Sequence, residues 1–417
     1  MAAAFNGIRL FLGLASGLVM GLGVSVAARD VVEVAEPLAA PCNATNGTNA
    51  TNFLVMAGGG APSYNEIALE KNVLYFQRTL QAMGYDPADA SVFFANGNSG
   101  EATIRYLDPQ GQIRFKVPEI PHLLGASTFA NLQSWVGQTL TSSHEEPRPL
   151  FFYFTGHGAR NNRNLNNNYM LLWGDQYVSV QDLAQTFDQL PADTPVVSMM
   201  AQCYSGSFAN LIYTDGQPSQ GLAEQDRCGF FATLRTLPSV GCTPEVNEAD
   251  YRDYSSSFFA GLSGIDRTGT PVASADYNED GRVAYAEAHA FSKVDGETTD
   301  LPVSTLEVWL QERATLALQD EILSQPMQSI LETARPEQQY VVEGLAQELG
   351  LVSQPYMASQ QALQSQWALG SIPLTYLERV RLELLNIAME SQIRESGDQE
   401  AIATIDRLIN CESGSWQ

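Results

Sequence analysis

Two short blocks hold the residues best suited to chemistry. Phe151-Phe-Tyr-Phe-Thr-Gly-His157-Gly158 ends in an imidazole followed by a glycine. Val197-Ser-Met-Met-Ala-Gln-Cys203-Tyr-Ser-Gly206 ends in a thiol set in a turn of small residues. A thiol becomes a strong nucleophile once a nearby imidazole can accept its proton, and that imidazole can then protonate a leaving amine. Gly158 lets backbone approach a substrate carbonyl, so that its N–H and that of Cys203 can hold a developing oxyanion. A bland reading stands beside this one: a His-Gly can simply end a strand, and a cysteine among small residues can simply pack. The other histidines, His122, His144 and His289, are scattered and suggest no metal cluster.

The positioning elements follow from the same blocks. Leu150–Phe154 and Pro195–Met200 are continuous apolar runs, the pattern of strands buried on both faces. Phe53–Ala57 and Ser91–Phe94 read as further strands, with helical spacing over 66–83, Thr128–Leu140 and Val180–Leu190. Strand–helix alternation predicts an α/β fold with a mainly parallel sheet sandwiched by helices, whose carboxyl-edge crevice binds ligands. His157 and Cys203 are 46 positions apart, room for a loop, one crossover helix and a return strand. That connection predicts neighbouring strands with both side chains at one edge. Gly58-Gly59-Gly60 lacks the rest of a phosphate-loop or dinucleotide motif and reads as a tight turn or the edge of a substrate site.

Tyr153-Phe-Thr-Gly-His-Gly158, Leu171-Leu-Trp-Gly-Asp-Gln-Tyr-Val-Ser-Val-Gln-Asp-Leu183 and Gln202-Cys-Tyr-Ser-Gly-Ser207 resemble, in this order, stretches of the caspase/legumain clan of cysteine peptidases. The resemblance covers roughly residues 53–265, and the His and Cys blocks are its specific parts. It implies a caspase-like sheet, a His157–Cys203 dyad, and hydrolysis of a protein or peptide substrate. Ala201 and Tyr204 stand where legumains carry glutamates, and Tyr204-Ser205 replaces the caspase Arg-Gly, so neither an Asn nor an Asp preference is implied. Legumain relatives also imply transpeptidation as a variant, and a C-terminal helical region that covers the cleft. A stability or dimer module is the plain reading of that region.

A separate motif, Asp276-Tyr-Asn278-Glu-Asp280-Gly281-Arg282-Val-Ala-Tyr-Ala-Glu287, fits an EF-hand-type loop. Side-chain oxygens of Asp276, Asn278 and Asp280, the carbonyl of Arg282 and the Glu287 carboxylate would suit a structural Ca²⁺, although the preceding segment does not read as helical. A calcium-dependent binding protein on an inactive peptidase fold is therefore the alternative function. The acidic stretch Glu245, Glu248, Asp250 and Asp253 reads either as a solvated face or as a reader of basic side chains.

The chain of 417 residues sets 22 lysines and arginines against 47 acids, a net charge of −25 that argues against nucleic acid and anionic membrane as partners. Residues 1–28 read as an export signal, membrane-bound only if it stays as an uncleaved anchor. Residues 29–52 read as a linker carrying Asn-x-Thr triplets at Asn43, Asn46 and Asn49, glycan acceptors in a eukaryotic secretory pathway. A peptidase domain over 53–300 and a helical region over 301–417 complete the expected order, the latter with helices at Leu306–Leu323, Glu337–Leu349, Ser359–Leu369, Thr375–Arg394 and Ala401–Ile409. An exported, secreted or periplasmic chain permits disulfides. Cys42, Cys228, Cys242 and Cys411 read as loop or terminal residues that allow three pairings, with Cys228–Cys242 and Cys42–Cys411 expected.

Overall fold

The computed structural model describes residues 51–141, 148–351, 355–366 and 371–417. The expected signal, nearly all of the linker with Cys42, Asn43, Asn46 and Asn49, and His144 lie outside these residues. The central strands are the apolar runs: β1 (Asn52–Gly58), β2 (Ser91–Phe94), and, after a hairpin of β3 (Ile104–Leu107) and β4 (Ile113–Lys116), β5 (Leu123–Gly125) and β6 (Leu150–Gly156). A small antiparallel sheet of β7 (Gly158–Ala159), β8 (Tyr169–Leu172) and β9 (Gln176–Ser179) follows, then β10 (Val196–Ala201), β11 (Arg227–Phe231) and β12 (Val303–Ser304).

The main sheet has seven strands in the order β12-β11-β10-β6-β1-β2-β5, all parallel except β12 at one edge. The chain first builds outward from β1 through β2 to β5, then returns to β1's other side with β6 and continues through β10 to β11. Strand order therefore reverses between β1 and β6, the kind of switch point where open α/β sheets hold ligands beyond their carboxyl ends. Register fixes what meets there: Gly58 pairs with Gly156, and Thr155 with Ala201.

Helices cover both faces. Val55, Ala57, Tyr153, Met199 and Phe230 pack toward the layer of α1 (Ile67–Ala82), and Leu54, Met56, Phe152, Phe154 and Met200 toward α2 (Phe129–Thr141) and α3 (Val180–Phe187). Alternate residues of each strand thus serve opposite cores, as a period of two demands. On the α1 side lie also α4 (Tyr254–Ser263) and α5 (Tyr285–Asp295). Sequence periodicity passed over β11 and α4, because Cys228-Gly229 interrupts the first and three serines dilute the second.

The helical region contains α6 (Thr305–Gln311), α7 (Leu316–Leu323), α8 (Met327–Leu331), α9 (Pro336–Leu349), α10 (Tyr356–Gln366), α11 (Ser371–Ser396) and α12 (Gln399–Glu412). The single helix expected over Leu306–Leu323 is two, with Thr315 capping the second through the Leu318 amide. Leu306, Leu310, Val341, Leu345, Leu384 and Leu408 build its core. All described residues nevertheless belong to one compact unit. Trp416 of the tail packs against Phe53 and Phe151, with ring centroids 5.0 and 4.9 Å away.

The cysteine pairing corrects the expectation. Cys228 bonds Cys411, not Cys242, which is a free thiol. Cys228 is not in a loop: it is buried within β11, facing the same core as Phe230 and Trp416, and there it meets α12. Cys242 lies past the other end of that strand, its Sγ 3.7 Å from the carbonyl of Gly156. With Cys411 taken, a Cys42–Cys411 bridge is excluded as well.

Candidate active site

His157 follows the last residue of β6, and Cys203 stands two residues beyond β10. Since Thr155 pairs with Ala201, both side chains start from the same level of adjacent parallel strands. Their backbones come into close approach at Gly158. A Cβ there would stand 2.0 Å from the carbonyl oxygen of Cys203, so only glycine fits. The sequence-predicted pair and both candidate oxyanion amides, Gly158 and Cys203, therefore share one edge of the sheet.

The imidazole is held by residues that sequence reasoning missed. Nε2 of His157 lies 3.0 Å from the carbonyl of Tyr64 and 2.9 Å from Oε2 of Glu66, and the Tyr64 ring meets the imidazole edge-on. Both partners are acceptors, which assigns the Nε2 proton and leaves Nδ1 as the nitrogen for proton transfer. Glu66 is buried, and its other oxygen accepts from Arg105 at 2.7 Å. Burial opposes ionisation of Glu66, yet the hydrogen bonds it accepts from His157 and Arg105 outweigh it and hold the carboxyl below its usual range. The triple glycine has its reason here. A Cβ on Gly59 would stand 1.9 Å from the Tyr64 carbonyl, the same oxygen that receives His157. The Gly59 amide also donates to Asn65 Oδ1 at 2.9 Å, closing the loop that delivers Tyr64 and Glu66.

The sulfur is held from the other side. The Ser239 amide donates to Cys203 Sγ at 3.3 Å, and the thiol donates to the Ser239 carbonyl at 3.6 Å. Among the described hydrogen bonds, none joins the sulfur to the imidazole. Burial, with the Asp300 charge adding to it, pushes the Cys203 thiol up, against the hydrogen bond from the Ser239 amide. Tyr204 occupies the left-handed region at φ 60°, strain that turns the chain sharply after the nucleophile candidate. Asn168, fully buried, donates to the carbonyls of Tyr204 and Arg235 and props up that turn. The Asn-rich loop thus buttresses the turn beside Cys203.

The remaining candidates lie elsewhere. Glu248 pairs with Lys71 and Arg78, and Asp253 caps α4 while accepting from Asn72, so both are engaged within the chain. In the 276–287 loop, Asp276 accepts from the amides of Asp280 and Gly281, Asn278 from Asp280, and Asp280 from Arg282. Glu287 accepts from the amides of Tyr277, Asn278 and Ala284. Among the described residues no group of three or more His, Cys, Asp or Glu side chains gathers to hold a metal. The loop also sits at the far end of the sheet from His157. Val283 bonds Ser415 and Gln417, neighbours of the Trp416 that packs on Phe53 and Phe151 near the amino ends of β1 and β6.

No known family model matches the chain, and no curated protein matches it. No helix among the described residues is long and apolar enough to cross a membrane.

Proposed function

We propose that this chain is an exported cysteine endopeptidase of the caspase/legumain type. The observation that supports it most is the oriented imidazole: Glu66 and the Tyr64 carbonyl fix Nε2 of His157, beside a backbone contact with Cys203 that tolerates no Cβ. In this reading Sγ of Cys203 attacks the carbonyl carbon of a peptide bond while its proton passes to Nδ1 of His157. The amides of Gly158 and Cys203 stabilise the oxyanion. The imidazolium, steadied by Glu66, then protonates the leaving amine as the C–N bond breaks, giving a thioester. Water, deprotonated by the same Nδ1, attacks the thioester and frees the acid and the thiol. An amine in place of that water gives the transpeptidase variant.

The test is a peptide library profiled with wild-type protein and with Cys203→Ala. Cleavage should fall by about 10⁴-fold or more with the fold retained, and equal cleavage by the variant would sink the reading. A second reading, a binding module on an inactive fold, draws on the sulfur's bonding to Ser239 instead of the imidazole. Iodoacetamide separates the two: a catalytic Cys203 reacts faster than a free thiol and loses that advantage in His157→Ala. The calcium proposal rests on the motif alone, since Ca²⁺ would have to draw Glu287 away from three amides. A melting temperature unmoved by Ca²⁺ or by chelator would remove it.

A further inference from the structure

Behind the sulfur lies a second carboxylate with no evident structural reason to be charged. Asp300, 1% exposed, accepts from Ser239 Oγ at 2.8 Å through Oδ2 and from the Val240 amide at 3.0 Å through Oδ1. Ser239 is the residue whose amide and carbonyl bracket Cys203 Sγ. A buried carboxylate is costly unless paired, but the cation beside Asp300 is used elsewhere. Arg379 of α11 donates to the backbone carbonyls of Lys293, Gly296, Thr298 and Asp300 at 2.7–3.1 Å, fixing the turn that carries the aspartate rather than neutralising its side chain. An asparagine amide would make the same two hydrogen bonds without burying a charge.

We propose that Asp300 is a positioning residue for Cys203, acting through the Ser239–Val240 turn, and that Arg379 fixes the segment from which it acts. This rests on the peptidase reading for its catalytic consequence. The helical region then enters the site as a scaffold for the nucleophile, through α11. The charged and titratable groups that bear on this carboxylate are Arg379, which favours its ionisation, and Asp253, which opposes it; burial comes first and pushes its pKa up to about 7. On the thiol, burial comes first and the Asp300 charge adds in the same direction.

The experiment compares Asp300→Ala with Asp300→Asn. It reads kcat and KM on the best library peptide, and the pH profile of iodoacetamide labelling at the Cys203 peptide, resolved by mass from Cys242. Asp300→Ala should lower kcat about 100-fold with little change in KM, because the turn holding the sulfur is released. Asparagine can accept from Val240 and donate to Ser239 Oγ, so Asp300→Asn should keep kcat within about threefold. It should also move the labelling midpoint to lower pH, since a negative neighbour is gone. Wild-type kcat and labelling profile in Asp300→Ala would overturn the proposal, as would a fall in melting temperature alone. If the alanine variant does not fold, Ser239→Ala takes its place: it removes the Oγ bond to Asp300 while leaving the backbone that brackets the sulfur, and wild-type kcat and labelling in that variant overturn the proposal. Failure of the peptidase reading is distinguishable: no peptide would be cleaved even by wild type, while the labelling profiles would still report on Asp300.

Discussion

The two ends of the parallel sheet are built on opposite terms. At the carboxyl end, glycines admit close backbone contacts, Tyr204 is strained, and a thiol, an imidazole and two buried carboxylates converge. At the amino end, Trp416 fills a cage of Phe53, Phe76 and Phe151, Tyr85 bonds its carbonyl, and Cys228–Cys411 ties α12 to β11 nearby. One end stores polar groups and strain, and the other supplies the apolar burial that holds them in place. Reactive geometry at one edge depends on closure at the other.

Opening the sealed end should therefore have the largest effect on stability. Trp416→Ala removes a buried indole from among Phe53, Phe76, Phe151 and Phe259 and should cost about 3–5 kcal/mol, read from urea unfolding. Cys411→Ser frees a link of sequence separation 183 and should cost about 2–4 kcal/mol. If both variants unfold at the wild-type midpoint, the sealed end is not what stabilises the sheet. Truncation after Thr305 removes both features at once, so it should unfold the protein instead of uncovering a cleft.

At the reactive end the comparison sharpens with Glu66→Gln. The glutamine can still accept from Nε2, and the Tyr64 carbonyl independently fixes the tautomer, so His157 should stay in place. What disappears is the negative charge that would face an imidazolium in the proposed reaction. A fall in kcat of about tenfold, with KM and melting temperature nearly unchanged, is expected. An unchanged kcat would reduce Glu66 to a partner of Arg105.

This end of the molecule was only half legible in the sequence. His157 and Cys203 announce themselves because each closes an apolar strand with a glycine-containing turn, and parallel alternation then places them together. Glu66 carries no such signature: it looks like the first residue of an amphipathic helix. Its role exists only because β1 and β6 are neighbours across the switch point. A reader who took that topology seriously would look for a carboxylate in the loop after β1. Ser239 and Asp300 were beyond reach for a different reason. They meet Cys203 through long loops whose path depends on β11, a strand hidden by its cysteine and glycine, and on Arg379 more than 170 residues after Cys203. The same hidden strand explains the mistaken disulfide, since a cysteine assigned to a loop has no direction in which to point.

The smallest effect lies in the interface that joins the helical region to the sheet. Glu412 is buried, with its Oε1 accepting from the Leu306 amide at 2.8 Å, and burial first, then the Glu307 charge, pushes its pKa up to about 8. Glu383, beside Lys293 at 2.7 Å, is pushed up by burial, with the Glu307 charge adding to it, against the pull of that lysine. For a carboxyl raised on folding, the native state keeps a proton that the unfolded chain has already released. Stability is then unaffected below the unfolded pKa near 4.5 and declines as pH rises through the folded value. Urea midpoints should fall as pH rises from about 5 to about 8. Glu412→Gln, which cannot ionise, should flatten part of that slope while leaving the low-pH stability near wild type. At the reactive end Asp300, raised on folding, shares this trend, while Glu66 opposes it at acid pH. Glu66, depressed on folding, stabilises above its unfolded pKa and loses that contribution as pH falls through its folded value. A stability profile that rises steadily from pH 5 to pH 8 would mean that the buried carboxylates at the helical interface are ionised and paired.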